Sequence, residues 1–192
     1  GAKSKGGKGK GKGKAGGSEL HEAARAGDVA RLEALLAGAA EDRGPDEADQ
    51  HRRTPLHLAA FSGKAAAVER LLELRADAQR EAMDGFLPLH FAAQAGHIEV
   101  VRLLVRKVST KGSHGAVRQY VNRVVQKGRK SALHLAVMRG HTDCARFLVM
   151  KGASTELQTA KGETAIDLCK SEELRRDLRG DASAAAAAAE AR

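Results

Sequence analysis

The phrase Thr54-Pro55-Leu56-His57-Leu58-Ala59-Ala60 returns 33 residues later as Leu87-Pro88-Leu89-His90-Phe91-Ala92-Ala93. It returns again as Ser131-Ala132-Leu133-His134-Leu135-Ala136-Val137, and in fading form as Thr164-Ala165-Ile166-Asp167-Leu168. A fixed period of this length constrains the fold more than any local propensity does. A single helix pair cannot bury its own apolar face, so units of this kind must stack and share a continuous core. Such arrays present extended binding surfaces and seldom build catalytic pockets.

Every unit shares one internal order. A short helix starts at Thr-Pro or its equivalent, where the proline's missing N–H has no helical partner to lose. Gly63, Gly96 and Gly140 close that helix in the left-handed conformation that glycine tolerates. A second helix follows with apolar residues at helical spacing: Val68, Leu71 and Leu72, then Ile98, Val100, Val101, Leu103 and Leu104, then Ala145, Phe147 and Leu148. An extended turn leads to the next unit.

With Thr-Pro-Leu-His, Leu-Ala-Ala, Gly-His (Gly96-His97, Gly140-His141) and the Val100 to Leu104 type of second helix in register, the chain resembles an ankyrin repeat protein. The resemblance spans about residues 18–179 and implies an all-α solenoid of stacked helix-turn-helix units with extended β-turn fingers. Ser18-Glu19-Leu20-His21-Glu22-Ala23-Ala24, with a second helix from Val29 to Leu36, reads as the N-terminal cap; Ser18 takes the N-cap position. Thr164 to Leu178, with a mostly charged outer helix from Glu172, reads as the C-terminal cap. Five repeats result, two of them caps. The resemblance also implies a structural role for His21, His57, His90 and His134, each tying a turn to its neighbour.

Three departures from the family pattern stand out. Leu87 replaces the usual Thr, so that turn loses a hydroxyl. Arg52 replaces the usual turn glycine, so its finger is expected to bend differently. Leu87 to Ser131 is 44 residues, one period plus eleven, which puts an insertion at about 107–127, between the second helix of repeat three and the first of repeat four. Gly128 also sits one position early relative to Gly85 and Gly162. The insertion's Val117, Tyr120, Val121, Val124 and Val125 fit one helical stripe or, being β-branched, an extended finger.

The chain has 192 residues and a net charge of +9, unevenly placed. Residues 1–17 hold six lysines, among them Lys8, Lys10, Lys12 and Lys14, and no acid. Residues 106–130 hold eight basic residues, including Arg118, Arg123, Lys127 and Arg129, again with no acid. The other 19 basic residues face 24 acidic ones, so the remaining body is mildly acidic. The Lys-Gly tail buries nothing and is expected to be disordered; residues 180–192 are an Ala-rich low-complexity tail.

By repeat phase the turn tips and the first-helix ends line the concave side. These positions carry His51, Arg53 and Phe61, then Met83, Phe86 and Gln94, then Lys130, Met138 and Arg139. Phe61, Met83, Phe86 and Met138 are apolar where solvent favours polar side chains, and aromatic, Met and Arg residues typify interface centres. A protein partner on this face is expected.

The two basic segments are expected to add attraction to RNA, a ribonucleoprotein or an acidic protein surface. In one alternative the chain is a nucleic-acid-associated protein bound through those segments. In another it is membrane-tethered: with an initiator Met removed, Gly1 accepts myristate and the lysines supply the second signal, although Lys5 holds the favoured Ser/Thr position. For the insertion, a solvated loop anchored by a few apolar residues stands beside the docking projection.

Cys144 and Cys169 have no disulfide or metal spacing and read as buried thiols at helix positions of the repeat, pointing to an intracellular setting, cytoplasm or nucleus. Six of the eight histidines belong to the repeat wording. No nucleophile, acid–base or metal-ligand set has the required spacing, so no catalytic residue, metal or cofactor is expected, and the chain is expected to be a monomer outside its complex.

Overall fold

The computed structural model describes residues 18–38, 44–111 and 114–180. The Lys-Gly tail with Lys8, Lys10, Lys12 and Lys14, and the Ala-rich tail beyond Gly180, lie outside the described residues. Helix pairs follow the repeat: α1 (Glu19–Ala26) with α2 (Val29–Ala37), α3 (Pro55–Phe61) with α4 (Ala65–Glu73), α5 (Pro88–Ala95) with α6 (Ile98–Lys111), and α8 (Ala132–Arg139) with α9 (Thr142–Met150). Between α6 and α8 stands α7 (His114–Val121). In the last unit a turn at 165–168 replaces the first helix, and α10 covers 172–180.

The repeat histidine starts each first helix. The backbone N–H of Thr54 donates to His57 Nδ1 at 3.0 Å, that of Leu87 to His90 at 3.0 Å and that of Ser131 to His134 at 3.2 Å. A backbone N–H only donates, so Nδ1 is the acceptor and Nε2 carries the proton. Nε2–H then donates to the next unit: His21 to Arg53 O at 2.9 Å, His57 to Phe86 O at 3.1 Å, His90 to Arg123 O at 2.9 Å and His134 to Leu157 O at 2.9 Å. Each ring therefore ties the start of its own helix to the following repeat. Asp167 holds this position in the last unit and accepts from Thr164 N–H at 2.8 Å, capping its own turn.

First helices α1, α3, α5 and α8 pack in direct succession, and second helices α2, α4 and α6 form a parallel row. The core runs between the rows. It is built from Leu56, Ala59 and Ala60, then Leu89, Ala92 and Ala93, then Leu133 and Ala136, against Val68, Leu71, Val101, Leu104 and Leu148. Small alanines let neighbouring first helices approach closely, and leucines fill the remaining space. Leu87, which gives up the usual hydroxyl, is 1% exposed and joins this core instead.

The insertion has a local cause. Helix α4 ends on Arg75 at φ 69° and α9 on Gly152 at φ 90°, both left-handed. The aligned residue of repeat three is Val108, whose branched Cβ excludes that conformation. Helix α6 therefore runs on to Lys111, with Val108 buried.

The chain then returns through α7, so the extra residues include a helix extension as well as a connection, which corrects the sequence expectation. Val117, Tyr120 and Val121 lie on α7; Val124 and Val125 lie beyond it, and Val124 bridges to Ser131. The insertion is packed on the stack rather than projecting as a free arm: Tyr120 and Val121 are buried, and Tyr120 Oη donates to Ala78 O at 3.0 Å. Fourteen residues of α6 against nine of α4 account for part of the excess.

Arg52 does not change the bend of its finger. It takes φ 58°, beside Gly85 at 75° and Gly162 at 77°, so the turn keeps its shape and the arginine bears the strain. Gly128 and Arg129, at 82° and 50°, match Asp84 and Gly85, at 59° and 75°. Cys144 lies on α9, whereas Cys169 falls between the last turn and α10, outside any helix. Both are buried and free.

Candidate functional site

Four fingers stand side by side along one edge of the stack. Each closes on itself: Asp49 N–H donates to Arg53 O at 2.9 Å, Ala82 to Phe86 at 2.8 Å, Val125 to Lys130 at 2.9 Å and Thr159 to Glu163 at 2.9 Å. Each is also tied to the next. Met83 N–H donates to His51 O at 3.0 Å, Gln126 to Asp84 O at 2.7 Å and Ala160 to Gly128 O at 2.9 Å. The third finger spans one residue more between its closing pair than the others do.

Rings gather where the second and third repeats meet. Phe91 on α5 lies 6.0 Å from Phe61 at an interplanar angle of 89°, and 5.5 Å from Phe86 at 48°. His57 meets the same Phe91 ring at 5.6 Å and 88°. These are edge-to-face and tilted arrangements, favourable beyond the area they bury. Phe61 is 49% exposed and Met83 50% exposed, while Phe86 and Phe91 are half-buried. The cluster is thus an apolar surface with a fixed floor and an accessible rim.

Of the partner-facing residues expected from the sequence, Phe61 and Phe86 are brought together, with Met83 in the same finger as Phe86. Gln94 and Met138, both half-buried, repeat the register position of Phe61 on α5 and α8. His51 and Arg139 are exposed and Lys130 is half-buried.

Arg53 is engaged inside its own finger. Its guanidinium meets Asp49 Oδ2 at 2.7 Å, and the Asp49 side chain, fully buried, also accepts from the N–H groups of His51 and Arg53 at 2.9 and 2.8 Å. Burial pushes the Asp49 carboxyl up, but Arg53 and these N–H donors outweigh it and hold the group below its ordinary value.

Phe91, the centre of the cluster, was missed in the sequence reading. Phe91 stands where the neighbouring repeats have Leu58 and Leu135, both buried, so the repeat pattern assigns it to the core.

The basic residues of the insertion do not form one surface. Arg123 pairs with Glu81, Lys127 and Arg129 are exposed at the tip of the third finger, and Arg118 on α7 lies against Gly152 beside α9. Among the described residues, no three or more His, Cys, Asp or Glu side chains converge on a point that would hold a metal ion.

His21, His57, His90 and His134 are buried structural groups. Burial pushes the imidazoles of His57 and His90 down to about 4, against smaller opposing effects from the carbonyls they bond. Burial, and then the neighbouring Asp143, pushes the Cys144 thiol up to about 11, the opposite of an activated nucleophile. What this surface offers chemically is an apolar seat framed by polar groups.

Comparison with known proteins accords with this geometry. Residues 20–114 match the family model for ankyrin repeats in three copies, and residues 129–160 match a further ankyrin repeat. Relatives include ankyrin repeat and KH domain-containing protein 1 of Homo sapiens, 32% identical over 116 residues, covering 60% of this chain and 4% of that protein. The putative E3 ubiquitin-protein ligase XBAT31 of Arabidopsis thaliana is 30% identical over 139 residues, covering 71% of this chain and 30% of the ligase. The NF-kappa-B inhibitor cactus of Drosophila melanogaster is 30% identical over 156 residues, covering 66% and 28%.

The chain spans less than a third of the length of these relatives, and what is shared is the repeat array. Ankyrin repeats generally mediate protein–protein interaction and are typically non-enzymatic modules. Four phased helix pairs, a histidine ladder and tied fingers, together with these matches, make the chain a member of the ankyrin repeat family.

Proposed function

We propose that the chain is a non-enzymatic adaptor or chaperone that holds a partner protein on its finger face. The partner seats an apolar side chain on the Phe61–Phe91–Phe86 cluster, with Met83 at the rim and His51, Gln94, Met138 and Arg139 around it. The observation that carries this reading is the convergence of three phenylalanine rings on a face fixed by finger-to-finger hydrogen bonds. Preorganised aromatic surface costs little entropy to bury, and it is where binding energy concentrates. The double variant Phe61→Ala/Phe86→Ala, folded by circular dichroism, is expected to lose partners that the unaltered chain captures from native extract. Capture of the same set by both proteins contradicts the reading.

The lysines of residues 1–17, with Lys127 and Arg129, add long-range attraction to RNA, a ribonucleoprotein or an acidic partner. A weaker hold on the same partner at higher salt, and a flatter salt response after deletion of residues 1–17, is the expected pattern. An intracellular setting belongs to the same proposal. Its supports are two buried thiols without a disulfide. No described helix is long and apolar enough to cross a membrane.

A further inference from the structure

The second-helix row carries an ion pair at most of its joints. Glu33 on α2 meets Arg70 on α4 at 2.6 Å, and Glu69 on α4 meets Arg106 on α6 at 3.1 Å. At the far end Arg146 on α9 meets Glu173 at 3.0 Å and Asp177 at 2.5 Å on α10. The joint between α6 and α9 differs. There residues of α6, α7 and α9 line a groove of about 760 Å³. Four cations line it: Arg102 and Arg106 from α6, Arg118 from α7, and Lys151 at the end of α9. Among the described residues, no carboxylate lines it. Its apolar wall is Val105, Val117, Phe147 and Met150, and Met150 is 73% exposed.

We propose that this groove docks an acidic peptide segment of a partner protein, an apolar side chain flanked by carboxylates. The charge pattern selects the occupant. Arg106 already meets Glu69 of α4, but Arg102, Arg118 and Lys151 have no ion pair from the stack among the described residues, which leaves their anion to come from outside. The apolar wall adds a requirement that a bare anion does not meet. A nucleobase fits less well, because the stacking surface is already engaged: Arg102 and Lys151 lie over the Phe147 ring, at 5.6 and 5.5 Å from its centroid. Methionine at the rim suits a partner side chain of varied shape. The groove exists because Val108 carries α6 onward and α7 folds back, so the eleven-residue excess builds it. It stands on different residues from the finger face, and neither site requires the other.

Fluorescence anisotropy with a labelled peptide alternating Asp or Glu with Leu or Phe tests the proposal on the full chain. Arg102→Glu and Lys151→Glu, both exposed positions, are each expected to weaken binding about tenfold or more. Met150→Asp is expected to weaken it similarly, and Phe61→Ala/Phe86→Ala to leave it unchanged. All variants keep the lysine tail, so its general attraction cancels from the comparison. A poly-Glu peptide that binds as tightly as the apolar-containing one overturns the proposal, as does unchanged affinity in Arg102→Glu and Lys151→Glu. Tighter binding of single-stranded RNA, abolished by the same two substitutions, also overturns it and assigns the groove to nucleic acid.

Discussion

Nδ1 of His97 stands 2.5 Å from where a Cβ on Gly63 would be. The same contact recurs one repeat later, with His141 Nδ1 at 2.4 Å from the corresponding point on Gly96. Each of these histidines donates through Nε2 to the end of the preceding first helix, His97 to Phe61 O at 3.0 Å and His141 to Gln94 O at 3.1 Å. The Gly-His wording of the repeat is thus a contact between successive units, glycine from one and histidine from the next.

That contact separates three glycines of identical backbone role. Gly63, Gly96 and Gly140 all have positive φ, but nothing lies within 4 Å of a Cβ on Gly140, because no histidine-bearing unit follows. Gly140→Ala should cost about 1 kcal/mol, from backbone strain alone. Gly63→Ala and Gly96→Ala should cost roughly 2–4 kcal/mol, strain plus overpacking against an imidazole. Urea denaturation of the three variants checks this, and equal costs at all three sites contradict it.

Acid should weaken the stack before its carboxylates titrate. His57 and His90 have pKa values of about 4 in the fold, against 6.5 when unfolded, and His134 is lowered in the same direction. Between these values the unfolded chain binds protons that the folded chain refuses, so the unfolding free energy falls as pH falls. Fully expressed, each of the first two rings is worth roughly 3 kcal/mol, all of it present above about pH 6.5. Urea midpoints should be level above about pH 7 and decline from about pH 6.5 to 5, above the usual carboxylate range. A midpoint that stays level across that window contradicts the neutral-histidine ladder.

The array was legible in the sequence because its ties are residue-specific. A repeated His at one phase means a repeated hydrogen bond, and Asp167 at that phase in the last unit marks where the ladder stops. The finger conformation was not legible at Arg52, since a residue type does not reveal φ. There the Asp49 carboxylate and the Met83 N–H hold the turn from both sides and override arginine's own preference. The extension of α6 was readable in principle from Val108, a branched residue where the other units end their helices. Phe91 looked like one more core leucine equivalent. It reaches the surface cluster because the neighbouring Phe61 and Phe86 lie on either side of it, a relationship that only three-dimensional register supplies.

Relief of the strained fingers should stabilise the protein. Arg52 and Arg129 hold positive φ without being glycine. Replacement of either by Gly removes about 1–2 kcal/mol of strain and returns part of it as unfolded-chain entropy. The net expectation for Arg52→Gly and Arg129→Gly is a gain of about 0.5–1 kcal/mol each, about 2 °C in melting temperature for a chain of this size. A fall in melting temperature for both variants contradicts the strain argument.

Site-specific photocrosslinking tests the partner face most directly. A benzophenone amino acid placed at Gln94, between Phe61 and Met138 in the first-helix row, should crosslink a protein partner in native cells. The same group at Glu73, exposed at the end of α4 on the second-helix side, should not crosslink that partner. The Gln94 crosslink should also vanish in the Phe61→Ala/Phe86→Ala background. A partner trapped from Glu73 and never from Gln94, or a Gln94 crosslink untouched by loss of both rings, contradicts the assignment of the finger face.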